Sequence, residues 1–224
     1  YVNSKPSEIS AIESLKTTFK NKNFRIFVSS DIFYWIALTM FQTGLPFFIT
    51  VLLKLPETMF MPMFVGMTAM SLVFYVPVNL ITRKTGKKKM VVFAFAMFTI
   101  TYLFTTFSGD LYGISGLVQG IIMVVCGSLP MAIFGILPQS MVADIAEYDG
   151  EKTGENRQGM FFAARTFCFK MGQSLAMLLF TSLATMGEGT GLGYRIVAGL
   201  AAILCLVGGI ILFFFNEKEV LQKN

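Results

Sequence analysis

Apolar residues in this chain fall in long runs, not in the alternating pattern of half-buried strands or the one-sided stripe of surface helices. Six runs approach or exceed the roughly 20 helical residues needed to cross about 30 Å of hydrocarbon: residues 32–53, 59–81, 90–107, 111–142, 159–186 and 192–215. The fourth exceeds one crossing and is interrupted by Gly127, Pro130, Gly135 and Pro138, which predicts bends or tilt. Ahead of the first run, Ile9, Ile12, Leu15 and Phe19 recur at helical spacing in a polar segment, predicting a short amphipathic helix on the membrane surface.

Composition agrees with this pattern. Of 224 residues, 54% are hydrophobic and only 14% charged, too much apolar surface for one water-soluble core. The expected class is an all-α integral membrane protein: a linker over 1–27, a six-helix bundle over 28–216 and a tail over 217–224. Cys126, Cys168 and Cys205 lie within apolar runs without metal-like spacing, and the chain has no His. They read as small hydrophobes, and no cofactor is expected. The chain begins at Tyr1 without a signal-like segment, and is read as the later part of a longer polypeptide.

Charge gives the orientation. Lys5, Lys16, Lys20, Lys22 and Arg25 precede the first span, and Arg83, Lys84, Lys87, Lys88 and Lys89 fill the second loop, "TRKTGKKK". The opposite side has Lys54 and Arg195. Both termini and the second and fourth loops are therefore expected in the cytoplasm, in a multi-pass protein of the plasma (inner) membrane. The net charge of +5 is topogenic charge facing anionic lipid; "GKKK" lacks the interleaved aromatics of a nucleic-acid site.

Polar residues inside the spans carry the candidate chemistry. Lys170 lies eleven residues past Gly159, about 16 Å deep at 1.5 Å per residue. A lysine at that depth costs about 2.5–3.5 kcal/mol. Thr166, Lys170, Gln173, Ser174 and Thr181 recur at spacings of three, four or seven, a stripe suited to a water-filled cavity or a bundle interior. The bland reading pairs Lys170 with a carboxylate to lock the bundle, yet no acid falls near midplane in the expected spans. Thr166, Lys170 and Gln173 are thus the candidate solute-cavity residues. Arg165, only about 9 Å in, is expected to reach the cytoplasmic interface along its stem.

The fourth loop, "ADIAEYDGEKTGENRQG", places Asp144 and Glu147 on one face at a helix C-terminus, where acids oppose the macrodipole and require a cation. Arg157, Arg165 or a basic loop would supply it. Asp144, Glu147 and Arg157 are the candidate cytoplasmic gate.

The stretch "ADIAEYDGEKTGENRQGMFFAARTFCFKMGQSLA" resembles the signature of the glycoside–pentoside–hexuronide:cation symporters, the melibiose-permease relatives of the major facilitator superfamily. Their "ADxxDY" helix end, "KTGxRxxG" turn and following lysine match Asp144, Tyr148, Lys152, Thr153, Gly154, Arg157, Gly159 and Lys170. Glu147 departs from the usual Asp but keeps its charge, and "GEN" changes the spacing around the arginine. Arg83, Lys84, Gly86 and Lys87 are similar to the superfamily's cytoplasmic loop motif, with Arg83 where the strict motif has Asp.

The resemblance implies that the spans are the second half of a 12-helix transporter moving a sugar or glycoside with Na⁺ or H⁺ by alternating access. It implies as partners the bilayer, the solute and an N-terminal six-helix half carrying carboxylates that Lys170 would face. Two alternatives differ in class: a non-transporting scaffold or sensing subunit with this fold, and a related transporter of lipid or drug-like cargo. An enzyme lacks support, with no HExxH or GxSxG motif and no midplane Asp pair.

Overall fold

The computed structural model describes residues 5–6, 11–187 and 189–221. It is a helical bundle with six helices long and apolar enough to span a membrane. Helix α1 (Ala11–Lys20) precedes the spans α2 (Lys22–Phe47), α3 (Phe60–Thr85), α4 (Lys87–Thr106), α5 (Gly116–Thr153), α6 (Gln158–Ala184) and α7 (Leu192–Leu212). A one-turn helix, α8 (Glu217–Val220), closes the described chain. Strands β1 (Lys5–Pro6) and β2 (Glu155–Asn156) form a minimal parallel pair beside the α5–α6 turn.

Several boundaries differ from expectation for identifiable reasons. Helix α2 starts at Lys22 because the Asn21 side chain caps it, accepting from the Phe24 N–H at 3.0 Å. This brings Asp31 inside the first span. Past Pro46, which lacks an N–H for the helical ladder, the chain widens into a π turn at Phe48–Leu52. Helix α5 begins after Ser115, whose hydroxyl accepts from Val118. It continues past Val142 to Thr153, where Gly154 ends it in the left-handed conformation (φ 74°) and donates to the Gly150 carbonyl. Most of the expected fourth loop is therefore helix. Leu15 and Phe19 of α1 pack against the core; Ile9 and the Ile12 side chain lie outside what is described.

The helices pack in the order α3, α5, α4, α7, α2, α6, which leaves α3 and α6 as the flanks of an open arrangement. Only 17% of the most apolar stretch of each flank is buried, against 44–56% in the other four spans. An aromatic cluster joins α2, α4 and α5: Tyr34 stacks on Phe134, Phe95 meets Phe134 edge-on, and Phe41 stacks on Tyr102. Helix α7 approaches closely through Gly208 and Gly209, where an added Cβ would lie 2.7 and 3.1 Å from Phe95. The Ser30 hydroxyl donates to the Gly208 carbonyl at 2.8 Å. Close approach through small residues is how helices hold together where lipid competes equally for apolar surface.

Candidate functional site

Lys170 is the thirteenth of the 27 residues of α6, one short of its midpoint. It is exposed. Its ammonium lies over the Phe169 ring, 5.4 Å from the centroid, and Phe169 in turn stacks on Trp35 of α2 at 4.7 Å. The bonding of the polar stripe divides it in two. Ser174 and Thr181 turn back to their own helix, donating to the Lys170 carbonyl at 3.1 Å and the Met177 carbonyl at 3.0 Å. Thr166, Lys170 and Gln173 have no hydrogen-bond or ion-pair partner among the described residues. Thr166 and Lys170 are exposed and Gln173 half-buried, three unpartnered polar side chains one turn apart on a flank helix.

Arg165 corrects the sequence reading. It does not reach the interface: its side chain is 4% exposed and grips Asp31 of α2, Nε to Oδ2 at 2.8 Å and Nη2 to Oδ1 at 3.0 Å. The Asp31 side chain is itself only 3% exposed. The guanidinium carbon also lies 5.8 and 5.9 Å from the Phe27 and Phe169 rings. A forked, parallel pair of charge-assisted hydrogen bonds is the strong form of this interaction, and burial makes each partner necessary to the other. The missed signal was Asn21: recognised as a helix cap, it would have placed Asp31 two and a half turns inside α2.

At the helix ends expected in the cytoplasm, the structure does not bring Asp144, Glu147 and Arg157 together as one charge set. Asp144 pairs with Lys87 at 2.5 Å, both about one-fifth exposed. The basic loop, one of the three expected sources, is therefore its compensating cation. Arg157 pairs with Asp149 at 2.7 Å instead of with Asp144 or Glu147. Glu147 is exposed and has no ion pair among the described residues. Sequence spacing had put Asp144 and Glu147 on one face, but it could not show which basic segment folds over Asp144.

The loop motif is organised by Glu217, a residue of the expected C-terminal tail. Gly86 has φ 92°, and Lys87 and Lys88 donate their backbone N–H groups to Glu217 Oε1 at 2.6 and 3.2 Å. The Glu217 carboxylate thus caps the positive end of α4. A Cβ on Gly86 would lie 2.7 Å from Glu217 Oε2. Lys88 Nζ donates to the Phe213 carbonyl at 2.7 Å, while Arg83 and Lys84 stay exposed. Nearby, Glu219 accepts from the Tyr148 hydroxyl at 3.0 Å and from the Asn23 and Asn216 amides. The Tyr148 hydroxyl first, then the Asn23 amide, hold its carboxyl below the usual range. On the other side of the bundle Lys54 meets Asp110 at 2.6 Å and lowers its pKa, chiefly through that hydrogen bond.

These elements make a membrane scaffold with an open polar stripe at mid-helix and ion pairs at both ends. No curated protein and no solved structure matches the chain. The model of a family described as MFS/sugar transport protein matches residues 2–219, nearly the whole sequence. Six apolar helices and that match together identify a multi-pass, non-enzymatic membrane protein: the chain belongs to the MFS/sugar transport protein family.

Proposed function

We propose that this chain is the second six-helix half of a 12-helix, cation-coupled symporter of the glycoside–pentoside–hexuronide type in the plasma membrane. One observation carries the reading: the Lys170 ammonium, at the middle of a spanning helix, has no anionic partner among the described residues. An ammonium held at that depth calls for water, solute or a facing carboxylate. Thr166 and Gln173 beside it supply the neutral donors and acceptors that sugar hydroxyls require. The sparse burial of α3 and α6 suits flank helices whose outer faces meet another bundle. The coupling ion is Na⁺ or H⁺, and the carboxylates that hold it belong to the other half. Uptake of radiolabelled glycosides under imposed Na⁺ or H⁺ gradients tests the function. Accumulation that ignores both gradients would remove the coupling.

In this proposal both termini and the Lys87 and Gly154 turns face the cytoplasm. Cysteines placed singly at 54 and 87 check it in whole cells. An impermeant thiol reagent is expected to reach position 54 and not 87, and the reverse pattern means inverted topology.

The Lys87–Asp144 and Arg157–Asp149 pairs tie the second loop to the end of α5, and that end to the start of α6. In the proposed cycle they hold the inner ends of these helices together in one state and part in the other. The Lys87 and Asp144 side chains are about one-fifth exposed, so solvent screens that pair and it contributes about 1 kcal/mol; Arg157 and Asp149, 4% and 12% exposed, are more deeply buried. Asp144→Asn is therefore expected to shift the ratio of the two states by about fivefold, without unfolding the protein. Asp144→Lys should impair uptake more, and combining it with Lys87→Asp should recover part of the loss. Uptake that tolerates all three changes equally would leave these residues as solvated ends.

A further inference from the structure

We infer that the Asp31–Arg165 pair is a positioning device that sets the rotation of α6 about its own axis, and with it the direction in which the Thr166–Lys170–Gln173 stripe points. The consequence for the stripe rests on the transport reading above; the rotational lock does not. Along α6 the buried residues are Phe161, Ala164, Arg165, Gly172, Ala176 and Phe180. Between the two phenylalanines, Arg165 is the only long one. Gly172 allows close approach to α2, where an added Cβ would lie 3.3 Å from Ile36 and 3.4 Å from Ile32; like the buried Ala164 and Ala176, it is small and presents little shape to resist turning. Lipid supplies only a coarse preference: it disfavours the side that carries Lys170 but does not distinguish one apolar face from another, so it does not fix which face meets α2.

The guanidinium fork does fix it. Its Nε and Nη2 each bond a different oxygen of Asp31, and two bonds fix an orientation where one would allow a swivel. At 3.6 residues per turn, Lys170 lies about 140° around the helix from Arg165, Thr166 about 100° and Gln173 about 80°. Drawing Arg165 onto α2 therefore leaves Thr166 and Lys170 exposed off the seam and Gln173 half-buried at its edge. The pair also occupies the carboxylate that Lys170 would otherwise seek. One turn along, Phe169 on Trp35 extends the seam, but stacked rings tolerate offset and leave the angular choice to the fork.

The seam supplies its own gauge, because Thr43 Oγ1 of α2 lies 3.5 Å from Met177 Sδ of α6. With Cys126, Cys168 and Cys205 changed to Ala, Thr43→Cys is paired in turn with cysteine at 177, 178 or 174, and disulfide formation is followed in native membranes. The 43–177 pair is expected to cross-link selectively in the parent. Combined with Asp31→Asn and Arg165→Gln, which strand no charge, that selectivity is expected to be lost, with 43–178 and 43–174 forming alongside. Arg165→Lys keeps the charge but not the fork, and should fall between. Parent-like selectivity in the double variant overturns the proposal. If that variant does not insert, parent-like selectivity in Arg165→Lys overturns it instead. No solute is involved, so normal uptake by a Lys170 variant would sink the transport role and leave the rotational lock untouched.

Discussion

Lys170→Ala is expected to abolish concentrative solute uptake while the protein still inserts at its normal level. The two halves of that result have separate causes. Insertion survives because removing a charge from mid-helix relieves a cost of about 2.5–3.5 kcal/mol, and because Lys170 has no partner among the described residues to strand. Uptake is expected to fail because the ammonium is the only cation on the open face of α6; in the proposed transporter, carboxylates facing it would lose their counter-charge. Lys170→Arg is expected to rescue poorly, since a planar, always-charged fork does not replace a compact ammonium that bonds in three directions. Uptake of labelled glycoside into vesicles at matched expression checks both. Normal accumulation by Lys170→Ala would make the residue a tolerated surface lysine.

The second large effect concerns stability. Arg165→Ala or Asp31→Asn alone leaves one buried charge without its partner, since the side chains are 4% and 3% exposed. Such a loss typically costs about 3–5 kcal/mol, enough to remove much of a protein's margin. Each single variant is expected to express poorly and to unfold at a lower temperature in detergent. The double change Asp31→Asn with Arg165→Gln is expected to be milder than either, because it removes both charges and keeps groups that hydrogen-bond. This non-additivity is the measurable signature of the pair. Single variants as stable as the parent would mean that water reaches the site.

This pair shows where the sequence stopped being readable. The long apolar runs found all six spans, because a bilayer demands continuous hydrophobic length from each helix on its own, but missed two of the helix ends by ten and eleven residues. They also drew the first span too late, at residue 32 instead of 22, since hydropathy drops at Asp31 and Arg25 although the helix does not. With Asp31 left outside, Arg165 had no visible partner, and snorkelling was the cheapest account of it. Lys170 needed no partner to be found: its depth within a single run marked it, and the structure leaves it open on α6.

The helix ends show the same division. The sequence required a cation for Asp144 from the macrodipole, a property of one helix end. It could not choose among Arg157, Arg165 and the basic loop, because that choice depends on which segments meet in space. Likewise nothing local marks Glu217, in a polar tail about 130 residues downstream, as the cap of α4.

By itself, then, the sequence determined the membrane class, the six spans, the charge asymmetry and the mid-helix lysine, all of which follow from each segment's own balance between lipid and water. The tertiary structure alone decided that Asp31 holds Arg165, Lys87 holds Asp144, Asp149 holds Arg157 and Glu217 caps α4. Each of these partnerships joins residues far apart in the chain or across a turn. Their geometry exists only once helices have packed, because a hydrogen bond or ion pair acts over a few ångströms and sequence separation says nothing about which ångströms those are.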